Sequence, residues 1–175
     1  RAIHFNESTV RPMGRTATGV KAMTLEEGDE VIGMVSVCDP ENESVMVVSE
    51  QGYGKRSKVE DYRITNRGGK GVKTINITDK TGDLVALKAV TDNDDLMIIN
   101  KSGITLRLHV SDVRIMGRAT QGVRLINLGK RGDTIASVCR VPREDSEEDT
   151  NDEFNDENTE TSVQENNNEQ VNENN

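Results

Sequence analysis

The chain has no tryptophan, and its phenylalanines and tyrosines are only Phe5, Tyr53, Tyr62 and Phe154. Proteins that hold single strands or unpaired RNA stack bases on exposed rings, so this scarcity argues against that mode. It leaves contacts to a duplex backbone open, because those need cations rather than rings. Hot spots between proteins also favour Trp and Tyr. A propeller-like protein-interaction scaffold, the rival reading from another class, therefore has few anchors here. The two cysteines, Cys38 and Cys139, cannot make a disulfide framework. Each follows a Ser-Val pair at a similar place in a different copy of a repeat. Both read as small buried strand residues in a reducing compartment. No apolar run approaches the roughly 18 residues of a membrane span, and no signal peptide is visible. A cytoplasmic location is the expectation. The chain opens with Arg1 inside a strand-like segment, and is expected to be the C-terminal piece of a longer protein.

The charge is segregated. Across 175 residues the formal net charge is −9, from 22 Lys+Arg and 31 Asp+Glu. Residues 144–175 hold 13 of the acidic residues and no basic one, leaving 18 acidic against 22 basic in 1–143, a net of +4. A mildly basic body with an acidic arm points to a polyanion partner. Residues 144–175 are mostly Asn, Glu and Asp, bury almost nothing, and are expected to be disordered. Two readings of this tail stay open: an arm that competes with the polyanion for the body, and a solubilising appendage.

What is present is a repeat. Arg11, Arg15, Gly19, Val20 and Lys21 recur 52 residues later as Arg63, Arg67, Gly71, Val72 and Lys73. They recur again, 51 residues on, as Arg114, Arg118, Gly122, Val123 and Arg124. Each basic position stays basic in all three copies. Each loop runs into a strand-like stretch: Val20–Leu25, Val72–Ile77 and Val123–Leu128. Further strands are expected at 30–38, 44–49, 84–90, 96–99, 104–110 and 134–141, from their apolar content and the turns around them. Residues 1–10, 55–62 and 107–113 are read as the returning strands. Turns fall at 39–43, Gln51-Gly52, Thr81-Gly82-Asp83, Lys101-Ser102-Gly103 and Gly132-Asp133. A repeat of about 50 residues with four short strands is the pattern of a propeller-like array. Its sheets must stack, with Met23/Leu25, Ile75/Ile77 and Ile126/Leu128 expected between them. Two domains follow: blades over 1–143 and the tail over 144–175.

Any single loop arginine can be a solvated side chain. Basic residues kept at the same positions in three copies instead suggest a line of positive charge for a duplex phosphate backbone. Arg15, Arg67 and Arg118 with Lys21, Lys73 and Arg124 are the first candidates for phosphate contacts. Arg11, Arg63, Arg114, Lys55, Arg56 and Lys70 extend the path. Gly68-Gly69-Lys70-Gly71 is not a nucleotide P-loop, which needs Ser or Thr directly after Gly-Lys and a helix beyond. It reads as a tight turn whose bare backbone admits a phosphate. His4 and His109 are lone strand residues, and Asp92, Asp94 and Asp95 lack the Gly and distal Glu of a calcium loop. No catalytic, metal or cofactor site is expected in this chain.

The runs V-R-P-M-G-R-T-A-T-G-V-K (10–21), G-Y-G-K-R-S-K-V-E-D-Y (52–62) and M-G-R-A-T-Q-G-V-R-L-I (116–126) resemble the C-terminal domain of the bacterial DNA gyrase A protein. The likeness covers residues 1–143. It implies an all-β β-pinwheel, a disc of four-stranded antiparallel blades whose basic rim wraps double-stranded DNA. It further implies a parent type II topoisomerase that supercoils DNA negatively with ATP. Upstream blades, the catalytic part of the same polypeptide and a gyrase B partner would work with this piece. The topoisomerase IV ParC-type domain is the related alternative. The family's box, Q-R-R-G-G-K-G, is matched at five of seven positions by Thr65–Gly71 (T-N-R-G-G-K-G). By that analogy Arg67, Gly68, Gly69, Lys70 and Gly71 contact DNA. The family's catalytic tyrosine lies upstream, so neither Tyr53 nor Tyr62 is assigned that role.

Overall fold

In a computed structural model the chain is described over residues 1–128 and 132–143. The acidic segment 144–175 lies outside the described residues. Seven strands form: β1 (Ser44–Ser49), β2 (Tyr53–Lys58), β3 (Leu84–Val90), β4 (Asp94–Asn100), β5 (Thr105–His109), β6 (Val123–Arg124) and β7 (Ile135–Pro142). One sheet has the order β3-β1-β2-β6 and the other β5-β4-β7, with every pairing antiparallel. There is no α-helix among the described residues.

The blade is not one repeat. In the four-stranded sheet the hairpin β1-β2 comes from the first copy, β3 from the second and β6 from the third. The three-stranded sheet follows the same plan, with the hairpin β4-β5 from the second copy and β7 from the third. Four strands inside each repeat is therefore corrected to four strands gathered from successive repeats.

Strand β1 reads S-V-M-V-V-S and is buried at every position. A strand covered on both faces needs a continuous apolar run rather than alternation. Val45 and Val47 point to one cluster with Val59, Tyr62 and Ile75. Met46 and Val48 point the other way, to Leu96, Ile98 and Val138 of the neighbouring sheet and to Val110 just after β5. Full burial of each such side chain contributes about 1.5–3 kcal/mol. Strand β4 buries Leu96 and Ile98, while the alternate residues Met97 and Ile99 are only half-buried. Of the residues expected between sheets, Ile75 is buried and Ile126 and Leu128 pack against the core, but Leu25 and Ile77 are exposed.

Each returning strand ends in a 3-10 turn, at Glu7–Thr9, Val59–Asp61 and Val110–Asp112. The three turns fall 52 and 51 residues apart and deliver the chain into its three basic loops. Residues 59–62 and 110–113 are thus turn rather than strand. The segment 1–10 pairs only through isolated bridges, Ala2 with Val72 and His4 with Ile64.

Four expected strands are missing or short. Residues 20–25 and 30–38 form no strand, and Val31, Ile32 and Met34 stay exposed. Their counterpart β3 pairs with β1, Val90 facing Ser44, a partner 46 residues upstream. The same offset gives 30–38 no partner among the described residues. The stretch 72–77 makes one bridge, at Val72, and β6 stops at Arg124. There the main-chain N–H groups of Leu125 and Ile126 share the Gly52 carbonyl at 2.8 and 3.4 Å, because β2 itself begins only at Tyr53. Both cysteines are exposed, against the expectation. On β7 the inward places go to Ile135 and Val138, which turns Cys139 outward.

Gly71 and Gly122 close the repeats onto one another. Gly122 has φ +86°, and a Cβ there would stand 2.6 Å from the Gly54 carbonyl oxygen. Gly71, at φ +69°, would press one still closer to the Ala2 carbonyl oxygen. The equivalent Gly19, at φ +89°, has nothing within 4 Å. Gly19→Ala should lower the unfolding free energy by only the left-handed backbone cost, about 1–2 kcal/mol. Gly122→Ala should lower it clearly more, because main chain must also move. Urea midpoints of the two variants check this, and equal losses would remove the close approach as the reason for glycine.

Candidate nucleic-acid interface

The three basic loops lie side by side. The main-chain N–H of Thr24 donates to the Gly69 carbonyl at 2.9 Å, and that of Asn76 to the Thr120 carbonyl at 3.0 Å. These are the same bond one repeat apart. Gly68 N–H donates to the Ala22 carbonyl, and the Thr24 hydroxyl to the Gly68 carbonyl. Loop one is thereby laced to loop two, and loop two to loop three.

On these loops Arg11, Arg15, Lys21, Arg63, Lys70, Lys73, Arg114 and Arg124 are exposed. Lys70 approaches Glu26 at 3.6 Å, both well exposed, and such a pair is worth little. Lys73 Nζ donates to Asn76 Oδ1 at 2.7 Å, a neutral partner. Arg67 and Arg118 are half-buried, and their guanidinium groups donate to main-chain carbonyls: Arg67 to Thr9 and Lys21, Arg118 to Lys73. Gly68, Gly69 and Gly71 form the turn between Arg67 and Val72. Gly68 has positive φ, Gly69 is exposed, and Gly71 is spent on the contact with Ala2.

Lys55 and Arg56 are corrected. Lys55 is 0% exposed and Arg56 7%, so neither is open to a phosphate. With Ser57 they hold the third basic loop from beneath. Lys55 Nζ donates to the Gly117 carbonyl at 2.6 Å and Ser57 Oγ to the Met116 carbonyl at 2.7 Å. Arg56 donates through Nε to the Val113 carbonyl and through Nη1 to Asp92. The matching residues of the other copies read Ile3-His4-Phe5 and Leu106-Arg107-Leu108. Apolar residues stand where Lys55 and Ser57 do. Reading the copies against one another marks those two positions as inward, a signal available from sequence. His4 takes the place of Arg56, with Nδ1 2.8 Å from the Tyr62 carbonyl. Arg107 and His109 both reach the buried carboxylate of Asp95, at 2.7 and 2.6 Å. The His109 hydrogen bond, then Arg107, holds the Asp95 carboxyl below its ordinary range. The 91–95 loop is therefore built into the fold: Asp94 accepts from the Thr91 main-chain N–H and hydroxyl, and Asp92 from Arg56.

Lys80, missed in the sequence because its turn has no basic counterpart in the first copy, stands with Arg124 over the Tyr53 ring. Their cationic groups lie 5.6 and 5.4 Å from the ring centre. Arg124 Nη2 donates to the Tyr53 hydroxyl at 2.9 Å, and this bond draws the phenol's pKa down. Burial pushes the Tyr62 phenol up, and its hydroxyl meets Thr74 Oγ1 at 2.5 Å. No group of three or more His, Cys, Asp or Glu side chains converges for a metal among the described residues. None of their helices is long and apolar enough to cross a membrane.

The family described as DNA gyrase C-terminal domain, beta-propeller, matches residues 1–38, 43–91 and 94–141, one match per repeat. The chain belongs to that family. The DNA gyrase A protein of Staphylococcus aureus strain MRSA252 is 51% identical over 147 residues, which cover 84% of this chain and 16% of that protein. The chain thus spans about one sixth of the relatives it matches. A solved DNA gyrase A C-terminal domain superposes with TM-score 0.70 at 31% identity, covering 78% of this chain and 45% of the other. A DNA topoisomerase IV C-terminal domain gives 0.74 at 25%, covering 81% and 43%. The gyrase family fits better, because its solved domain is the nearer in sequence. The repeated loops described above are those of a gyrase-type β-pinwheel.

Burial draws the Lys55 ammonium down from 10.5 to about 8; the Asp61 carboxylate opposes the shift and Arg118 adds to it. Between about pH 8 and 10.5 the unfolded chain holds a proton here that the folded chain has lost, so this group makes stability rise with pH. Below about pH 8 the full cost of burying the charge is present. Comparing wild type with Lys55→Met by denaturation at pH 7, 8 and 9.5 should show the difference moving in favour of wild type as pH rises. A pH-independent difference would mean that Lys55 is not buried as an ammonium.

Proposed function

We propose that this chain is the DNA-wrapping C-terminal part of a gyrase A-type protein, and that it bends duplex DNA along the row formed by its three basic loops. The lacing of those loops carries the reading. Thr24 to Gly69 and Asn76 to Thr120 set cations of three repeats next to one another, which matches a stiff polyanion passing them in turn. Arg11, Arg15, Lys21, Arg63, Lys70, Lys73, Arg114 and Arg124 meet phosphates. Arg67 and Arg118 add their charge from half-buried positions. The small Gly68 and Gly69 let a strand come close. The strand-passage chemistry and ATP use belong to other parts of the parent topoisomerase, which acts in the cytoplasm with a gyrase B-type partner. Tyr53, covered by Arg124 and Lys80, and Tyr62, buried against Thr74, serve packing rather than cleavage.

Phosphate contacts position a protein but read no bases, so duplex sequence should matter little. The log–log slope of affinity against salt should be steep, about −0.9 per phosphate neutralised on B-DNA. Lys21→Ala, Arg63→Ala and Arg114→Ala together should flatten that slope by roughly three such steps, without changing thermal stability. Duplex titrations at several salt concentrations measure it. Salt-insensitive binding, or the same slope in the triple variant, would sink the proposal. Capture of protein partners without duplex binding would favour the scaffold reading.

A further inference from the structure

Arg67 and Arg118 differ from the other loop cations in how they are held. Nη1 of Arg67 lies 3.2 Å from the Lys21 carbonyl oxygen, and Nη1 of Arg118 lies 3.2 Å from that of Lys73. Lys21 and Lys73 are equivalent residues, so one bond occurs twice, one repeat apart. Nε of Arg67 also donates to the Thr9 carbonyl at 3.2 Å. Each arginine therefore reaches from its own loop to the main chain of the preceding loop, at the residue whose side chain is that loop's exposed lysine. The acceptors are neutral. Among the described residues no carboxylate stands within ion-pair distance of either guanidinium. A guanidinium has five N–H donors in a fixed fork, and no more than two are used here.

We infer that Arg67 and Arg118 are positioning residues that staple each basic loop to the one before it, so that the spacing of successive phosphate-contacting cations depends on the shape of the guanidinium as well as its charge. The inference rests on the wrapping function proposed above. Lysine preserves the charge but not the planar fork or its reach to a second carbonyl. A bare cation would serve equally as lysine; a staple would not.

The test uses the full-length protein, assembled with its partner, and compares wild type, Arg67→Lys/Arg118→Lys and Lys21→Ala/Lys73→Ala. Three quantities are read: the salt slope of duplex affinity, the length of duplex protected from nuclease at saturation, and amide exchange at Thr24 and Asn76. The arginine-to-lysine pair keeps every charge, so its salt slope should flatten only as far as fewer phosphates are reached. It should protect severalfold less of the duplex outside the catalytic core, and exchange at least tenfold faster at both amides. The lysine-to-alanine pair should flatten the slope by about 1.8, two steps of 0.9, and keep wild-type exchange at Thr24. Wild-type protection in the arginine-to-lysine pair would overturn the staple. So would reduced protection with unchanged exchange, which would place the loss at the DNA contact itself. If wild type shows no salt-dependent protection beyond the core, the wrapping reading fails, and the exchange data alone then judge the staple.

Discussion

The structure depends on how near one repeat's main chain can come to the next. At Gly71 and Gly122 the approach leaves no room for a Cβ, and the oxygens met there belong to Ala2 and Gly54, each two copies back. From that contact Val123 enters the ladder beside Gly54, and Val72 bridges Ala2. The loop ahead of each glycine is then anchored at its C-terminal end by a neighbour's strand, and at its N-terminal end by a 3-10 turn of its own. Hydrogen bonds between loops, Thr24 to Gly69 and Asn76 to Thr120, fill the interval. The basic residues are carried on a frame fixed at both ends.

The chemistry of the acceptor sorts the cations. Arg56 and Arg107 are met by carboxylates, Asp92 and Asp95, whose negative charge opposes theirs. Arg67 and Arg118 are met by carbonyls, and Lys73 by an amide oxygen, which orient a positive group without neutralising it. A cation bound by a neutral dipole remains visible to a distant polyanion. Position in the repeat is thus an incomplete guide to availability, since Arg56 and Arg63 lie only a few residues apart in one basic stretch and face opposite fates.

Much of the fold was legible because turns and apolar runs recur in register. Residues 44–49 and 84–90 form strands with the bounds expected of them, since S-V-M-V-V-S and L-V-A-L-K-A-V are bounded by polar turns. The pairing was not legible. Nothing local in residues 84–90 says that they lie beside β1 of the previous copy rather than beside their own repeat's hairpin. Residues 20–25 and 30–38 have strand composition, but a strand exists only where a partner stands alongside. The basic loops were visible from spacing alone. Lys55 and Arg56 misled because positive charge was taken as exposure, although Ile3 and Leu106 at the place of Lys55 mark an inward position. The roles of Arg67 and Arg118 were hidden because their acceptors are main-chain oxygens, which every residue carries.

The assembly of one sheet from three copies has a mechanical consequence. In most repeat arrays a unit feels only its immediate neighbours, and stability is a sum of single-unit and nearest-neighbour contributions. Here the order β3-β1-β2-β6 ties the first copy to the third directly. Interactions therefore extend to the second neighbour, and no cut between copies leaves a self-contained module on either side. Strain imposed on one basic loop by a bent ligand would be shared by the sheets on either side rather than absorbed where it arises.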